Sequence, residues 1–566
     1  MSSLSRASNI HFADFGSARI PRSIIAIGWL LFALVWFGSL GVRTLITPDE
    51  GRYAVLSLNM LASGDWITPR LNGLLYFEKP ALQYWMGAIA FQLFGVNEFA
   101  ARFWPGLAGF FAVGMVSFTG GRLWGQRAGV IAALLMGSML WVYANTHYLT
   151  LDGGLMACLT VALCAFVLAQ RDEAGTAERR RFMWLCWAAM AGATLSKGLV
   201  GLVIPGATLA LYSLLNWQWG FWQRMHWVSG LAIYLLLAAP WLIAVSLKNP
   251  GFAEFFFIHE HFQRFLTTTH RREGAIWYFI PLLLVGLMPW TALLPALVQE
   301  GWKRSASQFQ PARLLLIWSA FILAFFSVSS SKLPSYILPM FPALALLGAA
   351  TLDRAEPLAL RKILWLPIGL ALIVLAALPF SSRFASASAP AEIVASMVLA
   401  IGVAMVVMLV LALAGWWLLG RGRKLAAIAC VAAGGLLSAA IGTSGHEAYG
   451  VNLKSARKLA AALSAQITPE TPVYAVRDYD QTLPFYLGRN VTLVEYVDEF
   501  DFGEKQEPQR WVPTLAEFVT LWRSQPAAAA SIPLDVYREL EAQGLPMTVV
   551  YQDRKRVAVV KPAVAP

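Results

Sequence analysis

The 566-residue chain is 58% hydrophobic and 13% charged, with 23 Trp and 33 Phe. Soluble globular chains carry about 25% charged residues, so the composition excludes an ordinary soluble protein and points to a polytopic membrane protein. The formal net charge of +12 gathers in short loops between apolar runs, where membrane topology accounts for it and nucleic acid is not an expected partner.

The first 22 residues are polar and contain Arg6, Arg19 and Arg22. No small-residue cleavage site follows the first apolar run, which reads as a retained span with a cytoplasmic N-terminus. A span needs about 20 apolar residues. Thirteen candidates lie near 23–42, 100–120, 128–146, 150–170, 182–197, 199–216, 227–247, 276–297, 313–330, 335–352, 362–381, 393–419 and 425–442. A further apolar run, 81–95, is only 15 residues long.

Positive charge sets the parity. Arg171 with Arg179, Arg180 and Arg181, Lys303 with Arg304 and Arg313, Arg354 with Arg361 and Lys362, and Arg421 with Arg423 and Lys424 form four basic loops. All four face the cytoplasm only if 81–95 is a half-buried helix that does not cross. The loops 43–99, 147–152, 197–198, 248–275, 331–334 and 382–392, and the tail 443–566, then face outward. Charge is expected in these outer loops and not in the span interiors. The four cysteines, Cys158, Cys164, Cys186 and Cys430, all fall in apolar runs, so no disulfide framework is expected.

The expected fold is a polytopic α-helical membrane domain over 1–442 and a small soluble α/β domain over 443–566. In the tail, SARKLAAALSAQI and AEFVTLWRSQ read as helices. PVYAV, NVTLV and the pair MTVVY and RVAVV read as short strands, the last two as a hairpin. The Ala-rich PAAAAS reads as low complexity.

Several outer loops place charge at the membrane boundary. In TPDEGRYA, Thr47, Pro48 and Glu50 fit a helix-start capping box. Asp49, beside Glu50 on an amphipathic interfacial helix, is harder to assign to helix-start chemistry. Glu78 and Lys79 precede Pro80 in GLLYFEKP, Asp152 opens a span in THYLTLDGG, and Lys197 lies between two spans in TLSKGLVG. The loop after 247 carries His259, Glu260, His261, Arg264, His270, Arg271 and Arg272, and Lys332 and Tyr336 sit in SSSKLPSYILP. Ionisable residues at such positions are costly unless paired or used. Their convergence fits an anion pocket beside a carboxylate. HEH reads first as solvated interfacial histidines; a divalent ion such as zinc would need His259 together with a ligand from another loop, such as Glu78.

The strings PDEGRYA, LASGDWITPRLNGLLYFEKPALQYW, SKG, HEHFQRF, HRREGAIWYF and KLPSYILP, in this order, closely resemble the lipid A 4-amino-4-deoxy-L-arabinose transferases. That family is related to the protein O-mannosyltransferases and the wider GT-C glycosyltransferases. The resemblance covers essentially the whole chain and is most specific over 45–345. It implies a multi-span enzyme of the bacterial inner membrane, its site facing the periplasm, that moves aminoarabinose from undecaprenyl phosphate to a lipid A phosphate. Masking that phosphate weakens binding of polymyxin and other cationic peptides. It places Asp49 at the family's acidic motif, Lys79 at its FEKP motif, and Lys197, Arg264, Lys332 and Tyr336 in matching segments. With the other boundary charges, the expected catalytic residues are Asp49, Asp152 and Glu50, and the expected donor-binding ones Lys79, Lys197, Arg264, Lys332, Tyr336 and Arg52. No cofactor is expected to be required, although a divalent ion at Glu78 and His259 stays open, and a monomer is expected.

A phosphate acceptor is already ionised near neutral pH, so no strong general base is needed. Asp49 is expected to orient the acceptor or stabilise an oxocarbenium-like centre, and the cations to hold the leaving phosphate. The competing enzyme is a transferase of another sugar or one acting on a protein hydroxyl, for which Asp49 would serve as base. A transporter or flippase is disfavoured, because neither inverted repeats nor mid-membrane charges are read from the sequence. A structural scaffold leaves the outer-face charge unexplained.

Overall fold

The computed structural model describes residues 20–263, 274–304, 307–386 and 390–561, with side chains 259–263 and 384 excepted. The membrane domain begins with α1 (Arg22–Gly38), after which the chain enters a structured loop containing α2 (Asp49–Ser63), a two-stranded hairpin and α3 (Leu82–Phe94). It continues through α4 (Glu98–Trp124), α5 (Gln126–Ser138), α6 (Leu140–Thr146), α7 (Leu151–Gln170), α8 (Thr176–Lys197), α9 (Val200–Asn216) and α10 (Trp227–Lys248), followed by further helices that end with Lys424–Gly445.

Among the described residues, eight helices are long and apolar enough to cross a membrane. Two bent pairs, α5 with α6 at 62° and Phe279–Gly286 with Thr291–Trp302 at 109°, raise this to ten. The expected thirteen is therefore not reached by length and composition. The remaining expected spans fall on α1 and α9, apolar helices of 17 residues, and on α8, whose first turns carry Glu178 and three arginines. Helix α7 is buried along almost its whole length, whereas Ala391–Gly420 buries few of its residues, as a lipid-facing helix does.

The four basic loops meet at one end of the bundle. Arg171 and Arg122 share Glu178, Asp172 accepts from the Gln308 amide, Arg354 pairs with Glu300, and Lys424 donates to the Asp353 carbonyl. The first loop and the tail meet at the other end. Glu98, at the start of α4, accepts from the Tyr486 hydroxyl at 3.1 Å and faces Arg457 at 3.5 Å. Both ends of α3 thus lie on the tail's side.

The tail holds a five-stranded mixed sheet in the order β4-β3-β5-β7-β6, formed by β3 (Val473–Val476), β4 (Thr492–Val494), β5 (Ala529–Pro533), β6 (Thr548–Gln552) and β7 (Arg556–Val560). Strands β6 and β7 pair antiparallel as the sequence predicts. The Ala-rich segment is a correction: Ala529 and Ala530 belong to the central strand. Their strand is buried, so packing overrides the weak β-propensity of alanine.

The hairpin of the first loop, β1 (Arg70–Leu71) and β2 (Leu74–Leu75), turns on Asn72 and Gly73, both at positive φ, the Asn-Gly signature of a two-residue turn. It is fastened to the tail. Asn72 exchanges two hydrogen bonds with the Val491 backbone at 2.7 and 2.8 Å, and Arg70 pairs with Glu507 at 2.9 Å. At Gly51 a Cβ would stand 2.4 Å from the backbone carbon of Gln481, so only glycine lets α2 approach the tail this closely.

Candidate active site

A cavity of about 1310 Å³ opens where the first loop, the bundle and the tail meet. At its charged end it is lined by Asp49, Arg52, Glu78, Lys79, Asp152, Lys197, Asp498 and Glu499. It continues between helices along apolar side chains that include Leu140, Val200, Ile204, Phe325, Met405 and Met408. One pocket therefore offers an ionic site joined to a greasy channel.

Asp49 and Arg52 stand on the first turn of α2, and Arg52 Nη1 donates to Asp49 Oδ1 at 2.9 Å. Arg52 also pairs with Glu499, whose other oxygen accepts from Gln481 Nε2 at 2.9 Å. Gln481 in turn accepts from the Thr47 hydroxyl. The tail thus braces the segment that carries Asp49. Burial pushes the Glu499 carboxyl above its ordinary value despite the neighbouring guanidinium.

Asp152 opens α7 and Lys197 closes α8, so a carboxylate at a helix N-terminus meets a cation at a helix C-terminus. The two form an ion pair, and the second Asp152 oxygen accepts from Ser335 Oγ at 2.8 Å. The Lys197 ammonium also lies 4.5 Å from the Tyr336 ring centroid, a cation–π distance. Lys79 donates to the Glu78 carbonyl at 2.7 Å, with the Glu78 carboxylate 3.9 Å away. Asp49, Asp152, Lys79, Lys197, Tyr336, Arg52 and Glu78, separated by up to 287 positions in the chain, share one cavity.

Two expected site residues do not line it. Glu50 is wholly buried and turned away from the cavity: its oxygens accept from Arg43 at 2.6 and 2.9 Å and from Arg102 at 2.7 and 2.9 Å. They also accept the backbone amides of Ile46 and Leu149. Burial raises the Glu50 carboxyl, but Arg102 and Arg43 outweigh it and hold it at about 2. No capping box forms either, because Thr47 is turned to Gln481 and Glu50 to the arginines. Lys332 is buried, and its ammonium donates to the carbonyls of Ser327 and Ser329 at 2.9 and 2.7 Å. It closes the end of helix Pro311–Val328, a common use of a lysine.

Arg264 lies outside the described residues, as does the side chain of His259. Among the described residues no three His, Cys, Asp or Glu groups converge as metal ligands. Sequence reasoning missed Arg102, which sits inside the expected span 100–120 and matches Glu50. It also missed Asp498 and Glu499; their signal is the acidic run EYVDEFDF in an otherwise basic chain.

Residues 25–256 match the dolichyl-phosphate-mannose-protein mannosyltransferase family, and residues 459–561 match the aminoarabinose transferase C-terminal domain. The chain is 35% identical to an undecaprenyl phosphate-α-4-amino-4-deoxy-L-arabinose arabinosyl transferase of Edwardsiella ictaluri, over 58% of this chain and 60% of that protein. It is 35% identical to the same-named protein of Aeromonas hydrophila, over 69% of this chain and 70% of that one. The crystal structure of ArnT from Cupriavidus metallidurans bound to undecaprenyl phosphate superposes with a TM-score of 0.91 at 38% identity, covering 96% of this chain and 99% of that one. The chain, with its cavity walled by both segments, belongs to the family of aminoarabinose transferases, glycosyltransferases of the membrane related to the protein mannosyltransferases.

Proposed function

We propose that this protein transfers 4-amino-4-deoxy-L-arabinose from undecaprenyl phosphate to a phosphate of lipid A at the periplasmic face of the bacterial inner membrane. The observation that carries the reading is one cavity in which Arg43, Arg52, Lys79 and Lys197 and five carboxylates adjoin an apolar channel. A sugar phosphate needs the first and a polyprenyl chain the second. The related Cupriavidus protein, crystallised with undecaprenyl phosphate, supports the donor.

In this reaction the bond from the sugar anomeric carbon to the donor phosphate breaks, and its electron pair leaves on undecaprenyl phosphate. An oxygen of the lipid A phosphate forms the new bond. Lys79 and Lys197 hold the leaving phosphate and stabilise its growing charge. Asp152, itself held by the Ser335 hydroxyl, fixes Lys197. Asp49, aimed by Arg52, faces the positive charge that develops on the sugar ring.

We further propose thirteen spans with the tail in the periplasm. The clustering of all four basic loops at one end, and of residue 98 with the tail at the other, supports this parity.

The test is expression in a polymyxin-sensitive bacterium that lacks its own transferase but makes the donor. Lipid A mass spectrometry should show the added aminopentose. Unmodified lipid A, with the protein present in the inner membrane, rejects the proposal.

A further inference from the structure

We propose that Asp498, on the C-terminal domain, recognises the protonated amine of the donor sugar and so sets the enzyme's preference for an aminosugar. This rests on the donor reading above and names the residue that would read its distinguishing group.

The division of the chain between two families motivates it. Asp49, Lys79, Asp152 and Lys197 all lie within 25–256, the part that matches the mannosyltransferase family. Mannose carries no amine, so machinery shared at that level handles the polyprenyl phosphate and the anomeric centre. Asp498 and Glu499 lie within 459–561, the part that matches the aminoarabinose transferase C-terminal domain. They are the acids that this domain places in the cavity wall.

Charge pairing then separates the acids. Asp49 is matched by Arg52 and Asp152 by Lys197, and Glu78 lies beside Lys79. Glu499 is committed to Arg52 and Gln481. Asp498 has no cation partner among the described residues, and its carboxylate accepts only the Tyr496 hydroxyl, at 3.3 Å. A carboxylate that lines the cavity without a matching cation is complementary to a ligand ammonium, and it gives nothing to a neutral hydroxyl of like size.

The backbone holds Asp498 in an unusual conformation. Its φ is +34°, and Glu495 three residues earlier has φ +49°. Non-glycine residues rarely adopt positive φ, and such strain concentrates at ligand sites. Strands β3 and β4 and the buried Phe500 flank the turn and fix it to the domain.

The experiment uses the full-length protein in lipid nanodiscs with lipid A as acceptor. Two donors are compared: undecaprenyl phosphate bearing aminoarabinose, and the same molecule with its amine acetylated. Asp498→Asn is nearly isosteric, and asparagine tolerates positive φ. The variant should raise the KM for the free-amine donor about tenfold with kcat unchanged, the signature of lost uniform binding. The KM for the acetylated donor should not move, so the preference between donors narrows by the same factor. A variant that keeps the wild-type ratio of the two kcat/KM values overturns the assignment while leaving the donor reading intact. If the wild-type protein transfers neither sugar, the donor reading fails and the assignment falls with it.

Discussion

Arg102 Nε lies 2.7 Å from Glu50 Oε1, and neither side chain is reached by solvent. With Arg43 at 2.6 Å, the pair pins the start of α2 to α4 and to the end of α1. Glu50 is thus the anchor behind the site, while its neighbour Asp49 faces the cavity. Glu50→Gln should strip two buried guanidinium groups of their counter-charge, at a cost of about 3–5 kcal/mol. Thermal unfolding in detergent and membrane yield measure this; a stable, fully inactive Glu50→Gln would return the residue to catalysis.

The same group makes stability depend on acid. Its carboxyl is held at about 2 against an ordinary 4.5. A depressed folded value means that the stabilisation is fully present above about 4.5 and is lost as pH falls towards 2, on the order of 3 kcal/mol in all. Unfolding midpoints followed from pH 6 to pH 3 should fall in the wild type. An Arg102→Ala, Glu50→Ala double variant, if it folds, should show a flatter profile.

Asp49→Asn should behave in the opposite way. The side chain is about a third exposed, and its partner Arg52 keeps Glu499 after the change. Loss of a group that acts on transition-state charge typically costs about 10²–10³ in rate. The variant should insert normally and modify lipid A at least a hundredfold more slowly. Near wild-type turnover would reduce Asp49 to a helix-start carboxylate.

Lys197 and Asp152 should be strongly non-additive. Asp152→Asn frees Lys197 from its position, and Lys197→Ala leaves Asp152 facing the donor phosphate as an uncompensated charge. Because the two act as a unit, the double variant should be no slower than Lys197→Ala alone. Initial rates with saturating donor provide the cycle. Additive losses would indicate separate roles.

The parity of the chain is open to direct measurement. Reporter fusions at residue 97 should report the periplasm and those at residue 125 the cytoplasm. Opposite signals would mean that α3 crosses the membrane and would invert every loop after it.

Local sequence alone is enough to assign the membrane class, to mark candidate spans and to gather the basic loops on one side. These follow from local hydropathy and from charge that must stay in water, quantities additive along the chain. It also named Asp49, Lys79, Asp152 and Lys197, because ionisable residues at an apolar boundary are conspicuous against that background. Only the tertiary structure separated Asp49 from Glu50. Adjacent helical residues point about 100° apart, and which of them meets a cavity depends on Arg43, Arg102 and the tail, all distant in sequence. The same holds for Lys332, turned to two carbonyls, and for Ala529 and Ala530, drawn into the central strand by their neighbours. Asp498 and Glu499 read as an ordinary solvated acidic run until the fold of the tail places them in the cavity wall some 450 residues from Asp49. A contact across such a distance is fixed by packing between domains, for which no local pattern exists.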